Sequence, residues 1–153
     1  MGILLQRSAD GGPCEDVTVL PTGTAIYTDT DVLEDASYAY RVQALDSAGN
    51  DSDCTTTAVS GRSLPALPQP PTLHSVTAVA ADALALQWSS PAGDVVTSYR
   101  LERSGSAGGR FDVVLQTGGG ITLTHDTGLA PGATYYYRVA ALNDTGASTP
   151  SAV

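Results

Sequence analysis

Few residues in this 153-residue chain have the type and spacing that chemistry needs. A catalytic site requires a nucleophile or an acid–base pair, an orienting partner and a pocket. The two histidines, His74 and His125, stand apart from one another. Neither falls in a His-Glu-x-x-His, Gly-x-Ser-x-Gly or Cys–His arrangement. Both are read as surface or strand-edge histidines. Serines are abundant, but none sits on a strand-to-helix elbow. No catalytic residue is assigned, and enzymatic activity is not expected.

Metal and phosphate chemistry fare no better. Asp46-Ser47-Ala48-Gly49-Asn50-Asp51-Ser52-Asp53 places four carboxylate or amide side chains in eight residues, and Asp29, Asp31, Glu34 and Asp35 add acids upstream. Calcium takes six to eight oxygen ligands, and the Asp-x-Asp-x-Asp-Gly loop with its closing Glu is absent. The same residues are explained as a turn, so no metal is assigned. Gly118-Gly119-Gly120 precedes Ile121-Thr122-Leu123, which reads as a strand. An anion cradle needs a helix N-terminus there, so this tract is read as a turn and no cofactor is expected.

Charge narrows the partners. The formal net charge is −9, and all seven basic residues are arginine. Residues 1–64 carry net −7 and residues 65–153 net −2. Such a surface repels nucleic acid and anionic lipid. No apolar run approaches the roughly 20 residues that span a bilayer, so no membrane insertion is expected. Met1-Gly2-Ile3-Leu4-Leu5 is too short for a signal-peptide core. Hydrophobic residues make up 42% of the chain, enough for packed cores.

The elements that would carry side chains repeat. Leu5-Gln6-Arg7-Ser8 returns as Leu101-Glu102-Arg103-Ser104. Tyr38-Ala39-Tyr40-Arg41-Val42-Gln43-Ala44-Leu45 returns as Tyr135-Tyr136-Tyr137-Arg138-Val139-Ala140-Ala141-Leu142. The offset is 96 at the first match and 97 at the second. A period near 97 is the size of one small sandwich domain. Within each copy the residues alternate with period two. Tyr38, Tyr40, Val42 and Ala44 share one face; Tyr135, Tyr137, Val139 and Ala141 share the matching one. Leu84, Leu86 and Trp88 alternate with Ala85 and Gln87, and Tyr99, Leu101 and Arg103 do likewise, followed by Val113 and Leu115. Turn residues separate the runs, and no helical periodicity persists. The fold class is all-β, with short strands at sandwich or barrel spacing.

These residues carry a family resemblance. Pro68-Gln69-Pro70-Pro71, Leu84-Ala85-Leu86-Gln87-Trp88, Tyr99-Arg100-Leu101-Glu102-Arg103 and Leu129-Ala130-Pro131-Gly132-Ala133-Thr134-Tyr135 occur in order. Residues 68–153 resemble a fibronectin type III domain of the form common in bacterial extracellular proteins. Residues 3–60 resemble the same domain from its third strand onward, without its first two strands and core Trp. The resemblance implies tandem immunoglobulin-like β-sandwiches: a partial domain over 1–60, a Pro-rich linker over 61–71, and a domain over 72–153 that lacks most of its last strand. It implies structural core positions for Trp88, Tyr99, Tyr38, Tyr40, Tyr135 and Tyr137. Tyr38 and Tyr135 are the corner tyrosines that should hydrogen-bond backbone just upstream. Tyr136 and Phe111 are left facing outward.

Cys14 and Cys54 are a possible disulfide. The strand positions that the resemblance implies set them about 14 Å apart, three strand spacings, whereas a bridge tolerates at most about 7 Å between Cα atoms. A loop folding back would permit the bridge; free thiols or bonds to other segments are the alternatives. Functionally, the resemblance implies a non-catalytic structural or spacer module of a larger secreted or cell-surface protein. The four prolines of residues 60–71 imply a semi-rigid spacer. Its partners would be neighbouring domains or identical subunits. Two alternatives are a subunit of a filament or virion appendage built by β-strand complementation, and an adhesive or carbohydrate-binding accessory module.

Overall fold

The computed structural model describes residues 1–48, 50, 52 and 58–153. These residues form ten β-strands and no helix. The chain divides into two compact units, Met1–Leu64 and Pro65–Val153.

The first unit contains β1 (Gly2–Ala9), β2 (Glu15–Pro21), β3 (Ser37–Leu45) and β4 (Val59–Arg62). They form one antiparallel sheet in the order β2-β1-β3-β4. Asp10 and Gly11 both have positive φ (47° and 75°), which suits the tight turn joining β1 to β2. Alternation puts Ile3, Leu5 and Arg7 on one face of β1, opposite Ala44, Val42 and Tyr40 of β3. Residues 24–29 run along this face without forming a strand.

The second unit contains β5 (Thr72–Ala80), β6 (Ala83–Ser89), β7 (Ser98–Ser104), β8 (Asp112–Gly118), β9 (Leu123–Thr127) and β10 (Tyr136–Leu142). They form two three-stranded sheets, β10-β7-β8 and β5-β6-β9. Leu86 and Trp88 of one sheet close on Tyr99, Leu101, Tyr137, Val139 and Ala141 of the other. The Trp88 and Tyr99 rings meet edge to face, with centroids 5.5 Å apart. The result is a sandwich whose inner faces are the alternating apolar residues of the sequence.

Three details depart from the sequence reading. Val113 is 59% exposed, while Val114 and Leu115 pack on the core. A register shift between Leu101 and Glu102 rotates the alternation by one residue there. A matching shift lies between Leu5 and Gln6 in the first unit. Gly119 is more than a loose turn residue: a Cβ there would lie 2.2 Å from the Val96 carbonyl oxygen. And residues 61–71 do not run free. Gly61 and Arg62 belong to β4, and the Leu64 carbonyl accepts from the Asp35 amide at 3.2 Å. The Pro65 and Ala66 carbonyls accept from Thr145 Oγ1 and Asn143 Nδ2, the Gln69 amide donates to Asp94, and Pro68 and Pro71 are buried.

After β10 the chain turns back along it. The Ser148 and Ser151 amides donate to the Ala141 and Val139 carbonyls, both at 2.8 Å. Their hydroxyls accept from the Ala141 and Val139 amides at 3.0 and 3.1 Å. Side-chain oxygens thus stand where a further strand's carbonyls would.

The contrast between Val139, 0% exposed, and Val42, 41% exposed at the same place in the repeat, makes a prediction. Burying a valine side chain is worth about 1.5–3 kcal/mol. Val139→Ala should therefore lower stability by about 2 kcal/mol, with a cavity contribution on top. Val42→Ala should cost under about 1 kcal/mol. Amide protection across β7 and β10 for the first variant, and across β1 and β3 for the second, measures both. Equal losses would contradict the difference in cover.

Candidate functional site

Each unit has its own polar cluster, built from three separated stretches of sequence. In the first, Arg7 Nη1 on β1 and Tyr40 Oη on β3 both donate to Asp29 Oδ2, at 2.8 and 2.9 Å. In the second, Arg103 Nη1 on β7 and Tyr137 Oη on β10 both donate to Asp126 Oδ2, at 2.7 and 2.8 Å. Each arginine also lies over a tyrosine ring, Arg7 over Tyr38 at 5.3 Å and Arg103 over Tyr135 at 5.2 Å. Asp126 lies on β9, so its carboxylate ties one sheet of the sandwich to the other.

The electrostatics follow from shared burial. Burial pushes the Asp29 carboxyl up, but hydrogen bonds from Tyr40, the Asp31 amide and Arg7 outweigh it and leave it below the usual carboxylate range. Burial, then the Asp29 carboxylate, raises the Tyr40 phenol. Burial, then Asp126, raises Tyr137 strongly. A tyrosine held neutral with its O–H donating to a carboxylate is a structural donor and a poor nucleophile or base.

A second polar group differs between the units. Glu102 is buried and accepts from Arg100 Nε and Arg138 Nε, at 2.8 and 2.6 Å. Arg138 in turn stacks on Phe111 at 4.4 Å. The first unit has Gln6 at this place, donating to Asp16 at 2.8 Å. Arg41, the partner of Gln6 across the β1–β3 ladder, is left with a buried Nε that has no hydrogen bond.

An open groove lies in the first unit. It has a volume of about 700 Å³ and is lined by Ile3, Leu5, Leu20, Tyr38, Tyr40 and Val42 on the sheet and by residues 24–29 beside it. Ile26 is 86% exposed and Tyr27 43%. In the second unit the corresponding face is closed by Leu86 and Trp88.

The residues singled out in the sequence distribute as follows. Trp88, Tyr99 and Tyr137 are buried in the second unit, with Tyr135 half-buried against them. Tyr38 is buried, and Tyr40 is half-buried because the groove leaves its face uncovered. The Tyr38 hydroxyl accepts from the Leu33 amide at 2.7 Å, and Tyr135 accepts from Ala130 at 3.0 Å. Phe111 and Tyr136 are half-buried, and one face of Phe111 is taken by Arg138. His74 and His125 are exposed on β5 and β9. Cys14 is exposed just before β2. Cys54 lies outside the described residues, and the suggested bridge with it. Of the Asp-rich turn, Gly49, Asp51 and Asp53 also lie outside them. Asp46 caps its own turn, accepting from the Ala48 and Asn50 amides at 2.8 Å. Among the described residues no group of three or more His, Cys, Asp or Glu is placed to hold a metal ion.

Two features are absent from the sequence reading: the Arg–Asp–Tyr clusters and the exposed Tyr27. The clusters leave a trace there, since Arg7/Arg103, Asp29/Asp126 and Tyr40/Tyr137 recur at the 96–97 offset.

Comparison with known proteins follows the fold. A family model described as fibronectin type III domain matches residues 69–153. The chain is similar to a crystal structure of the FN1-FN3 domains of chicken CNTN1, at 22% identity and a TM-score of 0.58, over 98% of this chain and 51% of that one. It is similar to a run of titin domains at 20% identity and a TM-score of 0.63, over 97% of this chain and 51% of that one. A two-domain segment from chicken tenascin matches at 19% identity and a TM-score of 0.51, over 98% of this chain and 81% of that one. The chain thus spans about half the length of the first and second of these structures.

The carboxylate clusters predict a pH profile. Because the folded carboxyl of Asp29 lies below its unfolded value of about 3.9, its contribution is present above that value and lost as pH falls through the folded one. Intrinsic-rate-corrected amide protection of β1 and β3 should hold from about pH 5 upward and fall below about pH 4. Asp29→Asn should flatten that acid limb. On the alkaline side, the raised Tyr137 contributes stability that is full below about pH 10 and lost above it. Tyr137→Phe should cost about 1–3 kcal/mol at neutral pH, since it removes one donor from a half-buried carboxylate.

Proposed function

Because this chain belongs to the fibronectin type III domain family, we propose that it is a non-catalytic structural module of a larger secreted or cell-surface protein, holding neighbouring domains apart. The observation that supports this reading most is where the polar chemistry is spent. Each buried carboxylate and arginine that forms a cluster, at Asp29, Asp126 and Glu102, is consumed in joining strands to one another. The Pro-rich segment is consumed likewise, its carbonyls and prolines fastened to the unit on either side of the Leu64–Pro65 bond. On this reading the first unit is a partial copy of the second, as the repeated clusters suggest.

One observation favours a second reading, assembly by β-strand complementation between subunits. The apolar face of the first unit is open where that of the second is closed. A carbohydrate-binding role draws little support, because Phe111 is capped by Arg138 and Tyr136 is half-buried.

Thermal unfolding with a ligand panel tests the structural reading. A bound ligand raises stability in proportion to its occupancy. Calcium and soluble oligosaccharides at millimolar concentration should leave the transition of the second unit unmoved. A saturable upward shift with any one of them would replace the structural reading with a binding one. Sedimentation velocity over a hundredfold range of concentration addresses the second reading, which requires a rising sedimentation coefficient.

A further inference from the structure

We propose that the outer face of the β10-β7-β8 sheet binds one carboxylate, delivered by an extended segment of another polypeptide and held by Arg100 and Arg138 together. The contact adds a docking role to the structural module and does not rest on that reading. An unequal share of charge carries it. Arg7, Arg62, Arg103 and Arg110 each have a carboxylate of their own, at Asp29, Asp35, Asp126 and Asp112. Among the described residues Arg100 and Arg138 share a single one, Glu102, at 2.8 and 2.6 Å. The Glu102 side chain is 7% exposed and fully engaged between strands, whereas those of the two arginines that hold it are 32% and 34% exposed.

The strand register gathers these side chains on one face. Arg138 of β10 stands opposite Glu102 of β7, and Glu102 stands opposite Val113 of β8. In the next row of that face Ala140 stands opposite Arg100, and Arg100 opposite Gln116. The two arginines are therefore diagonal neighbours, about 7–8 Å apart at Cα, which is within reach of one ligand group. Ala140 brings only a methyl group to the space beside them and is 1% exposed. Phe111 lies against the Arg138 guanidinium at 4.4 Å and fixes it from a further side. Both arginines are thus held in place before a ligand arrives, so little side-chain entropy is lost when one binds.

Charge and donor count set the ligand. A guanidinium carries about five N–H donors and a carboxylate about four acceptor sites, so the donors of the pair outnumber what Glu102 can accept by roughly twofold. Two guanidiniums against one carboxylate also leave one positive charge. One further carboxylate neutralises it and matches the forked geometry of arginine. A nucleic acid or a sulfated glycan brings many negative charges to a chain of net −9 and is repelled. A peptide segment with one acid among apolar residues fits, because Val113 is 59% exposed on the same face. The first unit supplies an internal control. Gln6 and Arg41 pair across its ladder as Glu102 and Arg138 do, but Leu4 stands where Arg100 does, so one guanidinium is left without a second.

The test titrates the isotopically labelled full chain with the synthetic peptide acetyl-Ala-Val-Glu-Val-Ala-amide and follows it by NMR. Saturable shifts are expected at the Arg100 and Arg138 Nε–H resonances and at the amides of β7 and β10, with none at Arg41. Glutamine in place of the peptide's glutamate should weaken binding at least about tenfold. Arg100→Gln and Arg138→Gln should each weaken it about fivefold or more, with amide protection of β7 and β10 reporting that the fold survives. Val113→Glu changes a side chain that is already exposed and should weaken binding to a similar degree, because its own carboxylate competes for the pair. Binding should also fall as salt rises toward about 1 M. Absence of a saturable shift, equal binding of the glutamine peptide, or equal shifts at Arg41 overturns the site. Acetate binding as tightly as the peptide overturns the docking of a polypeptide, since the pair would then hold a small anion and nothing beyond it.

Discussion

One carboxylate in each unit holds together strands that are distant in sequence. Asp126 receives Arg103 from β7 and Tyr137 from β10 while itself riding on β9, so it joins both sheets of the sandwich at a single oxygen. A buried anion of this kind is tolerable only because both donors are supplied at once. Its geometry then constrains the surroundings. The arginine is fixed over a tyrosine ring, and that tyrosine accepts a backbone amide a few residues upstream. Asp29 repeats every one of these contacts in a unit whose described residues form one sheet. Asp29 and Asp31 thereby anchor this stretch to β1 and β3.

Much of the second unit is legible in the sequence because its physics is local. Period-two alternation identifies the inward residues of β6, β7 and β10, since a pleated strand offers no other arrangement for a one-sided core. The bulge near Val114 is not legible, because a register shift is decided between strands and leaves no mark on either one alone. The contacts made by the Pro-rich segment are not legible either. Proline content describes what a segment does in water, whereas here Pro68 and Pro71 have found a surface to bury against.

The candidate site is legible only in outline. The repeat offset brings Arg7, Asp29 and Tyr40 into correspondence with Arg103, Asp126 and Tyr137, yet nothing in the spacing says that three residues meet at one oxygen. Tyr40 and Val42 read as core because they alternate correctly. Their exposure depends on what is packed opposite, which no pattern within β3 records. The Gln6 for Glu102 exchange is visible as one letter, but its meaning emerges only when Arg41 is seen without the carboxylate that Arg138 enjoys.

The serines that follow β10 bear on how this surface resists misassembly. Ser148 and Ser151 each offer an amide and a hydroxyl to the same residue of β10, so one residue satisfies both its N–H and its C=O. An extended neighbour would need backbone of its own in register to do as much. A serine does it through its side chain, and the chain is free to bend away afterward. At Val139 and Ala141 the outer margin of β10 is thereby occupied by this chain's own serines. In the terms of protein quality control, this is a seam that hides its own thread, and its cost is two hydroxyl groups.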